Sequence, residues 1–218
     1  MRNAKRKIRN LLLIAFGLLL AALFFGCTTQ NAAEPTEVCC CPTPVTLVLQ
    51  YGVDTYTAMT DKFVSENNPS TQYESETEIN VYNHMTNGEY RAYIYFDLSL
   101  IPQTAYVESA TLELVRAQGT SNIPLFDIYR NTESWPVPLY WSNKPTAYYH
   151  SYVDILSSNV SIPLNTTMVQ DWVTNPNNNF GLMFIEPDSP DDTDVLTFYS
   201  SEAATEANRP KLTIVYQP

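Results

Sequence analysis

Ser200, Ser201 and Glu202 stand side by side in the C-terminal stretch "TFYSSEAATEANRPKLTIVY", residues 197 to 216. A serine becomes a nucleophile when a base, usually histidine, takes its proton and a third group orients that base. The chain has two histidines, His84 and His150. His84 lies in the turn-like "NHMTNGE", His150 follows a tyrosine pair, and no G-x-S-x-G elbow is present. The expectation is structural: a serine hydroxyl and Glu202 tie down backbone groups where the chain leaves a sheet. Arg209, placed before Pro210, is expected to pair with Glu202 across that loop. No catalytic residue is assigned.

Two carboxylates flanking a glycosidic bond are the machinery of sugar hydrolysis. Glu89, Asp97, Glu108, Glu113 and Glu133 fall on or near strand-like segments. With 23 acidic residues in the chain, such pairs arise by chance, and solvated faces explain them better. The densest acidic run is "EPDSPDDTDV", containing Glu186, Asp188, Asp191, Asp192 and Asp194. Loop carboxylates suit Ca2+, which takes six to eight oxygens, but the EF-hand spacing, its glycine and its closing glutamate are missing. A solvated loop is the main reading there, with calcium on Asp188, Asp191, Asp192 and Asp194 as the alternative.

Aromatic rings beside amides suit a different chemistry, the stacking of sugar C–H faces on flat side chains. Trp135, Tyr140, Trp141, Tyr148 and Tyr149 crowd one loop-rich stretch, with Asn143 and Lys144 beside them. Trp135, Tyr140, Asn143, Tyr148 and Tyr149 are therefore the candidate carbohydrate-binding residues. Trp141 is equally suited to core packing, and Trp172 reads as core.

These residues are positioned by strands. The chain is rich in Tyr, Phe, Thr and Val, which favour pleated structure, and its 15 Pro mark turns. In "YRAYIYFDL" Tyr90, Ala92, Ile94, Phe96 and Leu98 share one face, while Arg91, Tyr93, Tyr95 and Asp97 share the other. "ATLELV" and "KLTIVY" alternate likewise, and further strands are predicted at 45–51, 54–59, 78–83, 123–130, 151–155, 180–186 and 195–200. One segment differs: Met168, Val169, Trp172 and Val173 recur at helical spacing, with Asn165 or Thr166 as cap and Pro176 as stop. The predicted fold is all-β, a two-sheet jelly-roll β-sandwich with one short helix, spanning 45–218 as a single domain.

The order of these segments resembles the DNRLRE domain family. "YRAYIYFDLSLIPQTAYVESATLELV" is similar to that family's central signature, and "TESWPVPLYWSNKP" to its Trp-rich loop. "TTMVQDWVTNPNNNFGLMF" resembles its helix and the strand that follows, and residues 197–216 resemble its closing Ser-x-Glu loop and strand. The resemblance implies a secreted jelly-roll module that accompanies polysaccharide-active enzymes, some members of which bind carbohydrate.

The N-terminus predicts location. "MRNAKRKIRN" is basic and "LLLIAFGLLLAALFF" is apolar but shorter than the roughly 20 residues of a membrane span. The ending Phe24-Phe25-Gly26-Cys27 resembles a bacterial lipobox, so residues 1–26 are expected to be a lipoprotein signal peptide and Cys27 the lipid attachment site. Residues 27–44 are polar, small and Pro-containing, as in a flexible tether, and carry the run Cys39-Cys40-Cys41. Neighbouring cysteines sit too close for ordinary disulfide geometry, and that run has no assigned role. Without residues 1–26 the chain keeps seven basic against 23 acidic residues, a net charge of −16. Such a surface repels phosphate, so nucleic-acid binding is not expected. The expected whole is an extracytoplasmic, membrane-anchored lipoprotein, held through its lipid anchor, with a non-catalytic module for a polysaccharide or other glycan. The rival reading is a structural or adhesive surface module with a protein partner.

Overall fold

The computed structural model describes residues 42–84, 86–118, 125–154, 157–187 and 195–218. The predicted signal segment 1–26, Cys27, the cysteine run and the acids Asp188, Asp191, Asp192 and Asp194 lie outside the described residues.

The alternation seen in the sequence produces two antiparallel sheets. The first contains, in spatial order, β1 (Val45–Gln50), β12 (Lys211–Gln217), β6 (Tyr106–Gln118), β11 (Thr197–Tyr199) and β3 (Glu78–Asn80), with β9 (Asn159–Pro163) also paired to β6. The second runs β2 (Met59–Ser65), β5 (Gly88–Phe96), β10 (Leu182–Ile185), β7 (Leu125–Asn131) and β8 (Ala147–Asp154), with β4 (Tyr82–His84) paired to β5. The chain crosses repeatedly between the layers, giving the all-β sandwich that the pattern predicts.

Every second side chain of each layer enters the shared core. Leu49, Leu112, Leu114, Phe198 and Ile214 come from the first sheet; Phe63, Ala92, Ile94, Phe126 and Phe184 come from the second. Phe126 meets Phe184 of its own sheet and Phe198 of the opposite one, both at 5.6 Å between ring centres and both edge-to-face. Such pairs add about 0.5–1.5 kcal/mol each beyond their burial. The one α-helix among the described residues, α1 (Thr166–Thr174), is capped by Asn165, whose side chain accepts from the Met168 N–H at 3.0 Å. Its buried face is Met168, Val169, Trp172 and Val173, as the helical spacing predicts.

Two differences from the sequence reading have physical causes. The strand predicted at 54–59 is a turn, because Asp54 and Thr55 adopt left-handed φ angles of 47° and 65°. A strand cannot continue through such residues, and the strand starts instead at Met59. The strand predicted at 78–83 is two short ones, β3 and β4, one in each sheet.

The outer face of the second sheet is not bare. The 132–146 segment folds over it and builds a second, smaller core from Val64, Tyr93, Leu139 and Met183, with Trp135 and Trp141 packed against them. Tyr93 belongs to the face predicted to lie away from the main core, yet it is fully buried under this cover.

Candidate functional site

Ser200, Ser201 and Glu202 act as a clasp between the sheets. The Ser200 Oγ donates to the Glu76 carbonyl at 2.6 Å and accepts from the Glu202 N–H at 3.1 Å. The Ser201 N–H donates to Asp61 Oδ2 of β2 at 2.7 Å, and its Oγ donates to Glu202 Oε2 at 2.9 Å. Asp61 is 4 % exposed, and its Oδ1 is buried without a hydrogen-bond partner. Burial first, and the neighbouring Glu202 charge second, push its carboxyl up to about 7. Among the described residues no histidine bonds either serine. The Nδ1 of His84 accepts from its own turn, from Thr86 at 3.2 Å and Asn87 at 3.3 Å, and His150 sits in β8. Arg209 does not pair with Glu202. Its Nε donates to the Ala203 carbonyl at 2.8 Å and its Nη1 to the Tyr51 carbonyl at 2.9 Å, because the loop offers unpaired carbonyls closer at hand.

The five carboxylates weighed for glycoside chemistry are each engaged locally. Glu89 grips Arg91 with both oxygens, Asp97 holds Ser99, and Glu108 accepts from Gln217. Glu113 pairs with Lys211 and Glu133 accepts from the Thr146 N–H. Among the described residues, no group of three or more His, Cys, Asp or Glu is arranged to hold a metal ion.

A groove of about 490 Å³ opens where the 132–146 segment meets the outer face of β2 and β5. Trp135, Tyr95 and Phe180 supply rings; Lys62, Thr60 and Asn177 supply polar groups. The wall is fixed in advance by the sequence Asn179-Phe180-Gly181. The Asn179 amide donates to the Phe96 carbonyl at 2.8 Å and accepts from the Gly181 N–H at 3.2 Å. Gly181 has φ 72°, and a Cβ there would lie 2.4 Å from the Ile94 carbonyl oxygen, so this approach of β10 to β5 needs glycine. The Phe180 carbonyl then receives two donors, the Trp135 indole at 2.8 Å and the Asn131 amide at 3.0 Å. The Trp135 ring is further held edge-to-face by Tyr93 at 5.5 Å and Tyr95 at 6.5 Å. A ring locked this way presents its free surface without a further loss of rotamer freedom on binding.

The structure separates the predicted binding residues. Trp135 lines the groove. Tyr140 caps the 3₁₀ turn Trp141–Asn143, and the Asn143 side chain serves that turn, accepting from the Tyr140 N–H at 2.7 Å and donating to the Pro138 carbonyl at 3.0 Å. Trp141 is covered by cations, with Lys144 at 4.1 Å and Arg91 at 5.0 Å from its ring centre. Burial and the Arg91 charge lower the Lys144 ammonium pKa. Tyr148 sits opposite Arg130 and lines a shallower pocket with Asn178 and Phe180, whereas Tyr149 sits opposite Tyr129. Tyr95, Lys62, Thr60, Asn177 and Phe180 were not among the predicted residues. Only Tyr95 carried a signal, its outward place in the alternation of β5.

In class, this is a β-sandwich module with a preformed ring-lined groove at its rim and no assembled catalytic group among the described residues. Residues 53–216 match the family model described as carbohydrate-binding module family 96, and the chain belongs to that family. No curated protein matches the chain.

Proposed function

We propose that the chain is a non-catalytic glycan-binding module whose ligand seats in the Trp135 groove. The observation that carries this reading is the Phe180 carbonyl, which fixes the Trp135 indole beside Tyr95 in a groove of about 490 Å³. That volume lies within the roughly 300–1,000 Å³ common for ligand sites. A sugar ring stacks on the indole while its hydroxyls reach Thr60 and Asn177. Lys62 is the cation among the described lining residues, and Glu74 already neutralises it at 2.7 Å. With a net charge of −16 once residues 1–26 are removed, the protein favours a neutral glycan over a polyanion. Lipid at Cys27 would hold the module at an extracytoplasmic membrane face, with the segment 27–44 as a leash and 45–218 as the folded unit.

A glycan array of neutral and uronate polymers tests the reading, with Trp135→Ala as control. The expected result is retention of a neutral glycan that Trp135→Ala weakens about tenfold, equivalent to about 1.4 kcal/mol. Binding that survives the substitution unchanged moves the site elsewhere, and a preference for uronates refutes the charge argument.

A further inference from the structure

The strand β8 carries three tyrosines that the main core does not use: Tyr148, Tyr149 and Tyr152 are 49 %, 52 % and 60 % exposed. Tyr149 and Tyr152 are three positions apart, so a regular strand would point them to opposite faces. The β7–β8 ladder prevents this. Ile128 pairs with Ser151 but Tyr129 pairs with Tyr149, leaving His150 as an extra residue. This bulge turns Tyr149 to the same face as Tyr152, which stands opposite Asp127. Asp127 and Tyr129 alternate with the buried Phe126 and Ile128, so the shared face is the outer one. The Tyr149 ring meets Tyr129 edge-to-face at 5.6 Å, and Tyr129 rests on the small outer core. Two paired positions along β7 separate Tyr149 from Tyr152, a spacing of roughly 7 Å.

The geometry points to Tyr129, Tyr149 and Tyr152 as a second carbohydrate-contacting platform, occupied by a further stretch of the glycan chain that enters the Trp135 groove. The inference rests on the glycan-binding reading above. Three features favour this occupant. The platform lies on the same sheet face as the groove: one register row runs Lys62, Tyr93, Met183, Tyr129, Tyr149, and its middle pair, Tyr93 and Met183, is buried under the 132–146 segment, over which the glycan would pass. Four strand spacings separate the ends of that row, roughly 19 Å, a distance that a polymer bridges and a single sugar does not. The bulge also disrupts the open edge of β8, so a protein strand gains no regular ladder there, while exposed phenol rings beside the Asp127 carboxylate offer stacking faces together with hydrogen-bonding groups. Tyrosine side chains have only two torsions to order on binding.

Affinity electrophoresis of the protein in gels containing β-glucan, mannan, xylan or galactan tests the platform. Three proteins are compared with wild type: Trp135→Ala, the double variant Tyr149→Ala/Tyr152→Ala, and the double variant Tyr149→Phe/Tyr152→Phe. The alanine pair is expected to weaken retardation at least threefold when assayed well below its melting temperature, which the lost Tyr129 contact lowers only slightly, and the phenylalanine pair to retain most of it. The loss should vanish when a free disaccharide of the same polymer is the ligand. Wild-type retardation in the alanine pair, alongside loss in Trp135→Ala, overturns the platform and leaves the groove standing. If no polymer retards the wild type, the neutral-glycan reading falls and the platform falls with it. If the alanine pair instead changes the oligomeric state in size-exclusion chromatography, the tyrosines hold a second copy and the platform is overturned.

Discussion

Asp61 makes stability depend on pH in a direction opposite to that of most surface carboxylates. Its unfolded value is 3.8 and its folded value about 7, raised by burial and then by Glu202. Between these two values the folded chain holds a proton that the unfolded chain has released. Stability is therefore full below about pH 4 and falls as pH rises towards 7, then levels off. A gap of about three pH units at 1.36 kcal/mol each sets the loss at about 4 kcal/mol at most. Asp61→Asn isolates the effect. An asparagine carbonyl still accepts from the Ser201 N–H, and its amide donates towards Glu202 without adding a charge. The assay is urea denaturation of both proteins at half-unit steps from pH 4 to pH 8. The difference in unfolding free energy should grow in favour of the variant across that window, reaching about 2–4 kcal/mol at pH 8. Titrating groups away from the Asp61–Glu202 clasp are common to both proteins and cancel. Parallel curves, or a variant that loses ground as pH rises, would refute the claim that Asp61 is held protonated in the clasp.

Other substitutions probe the scaffold. Gly181→Ala places a Cβ 2.4 Å from the Ile94 carbonyl at a φ of 72°, and should lower stability by about 1–3 kcal/mol in thermal melts while loosening the groove wall. Asn165→Ala removes the cap of α1 and should cost about 1 kcal/mol by the same measurement. Arg209→Met keeps bulk but leaves the Ala203 and Tyr51 carbonyls without their charged donor; a loss of about 2–4 kcal/mol is expected in urea titrations. Asn179→Ala strips the Phe96 carbonyl of its amide partner and should weaken glycan retention more than its melting temperature alone explains.

Alternation carries the sandwich because burial on one face of a strand leaves a period of two in the chain. β5, β6 and β12 were legible for that reason, and α1 because its apolar residues follow a period of 3.6. β2 was not, since Met59, Asp61 and Phe63 face inward together and the carboxylate among them breaks the apolar row. The tie from Asp61 to Ser201, 140 positions away, leaves no local trace. The groove was legible only at Trp135. Its other walls come from β2, β5 and the segment after α1, which fold to one place but share no neighbourhood in the chain. The bulge at His150 was invisible too: "YYHSY" reads as a run of rings, and only pairing with β7 shows which of them share a face.

The ladder joining β1 to β12 also fixes how the domain meets force. Its pairs run from Val45 with Tyr216 to Gln50 with Lys211, and β1 has no other neighbour among the described strands. A pull on the chain ahead of Val45, directed away from the sheet, therefore loads these rungs singly and in order. Peeling of that kind yields at low tension, whereas the remaining strands of both sheets would be strained only after β1 is gone. The module would part from its first strand before it let go of anything gripped on the opposite layer.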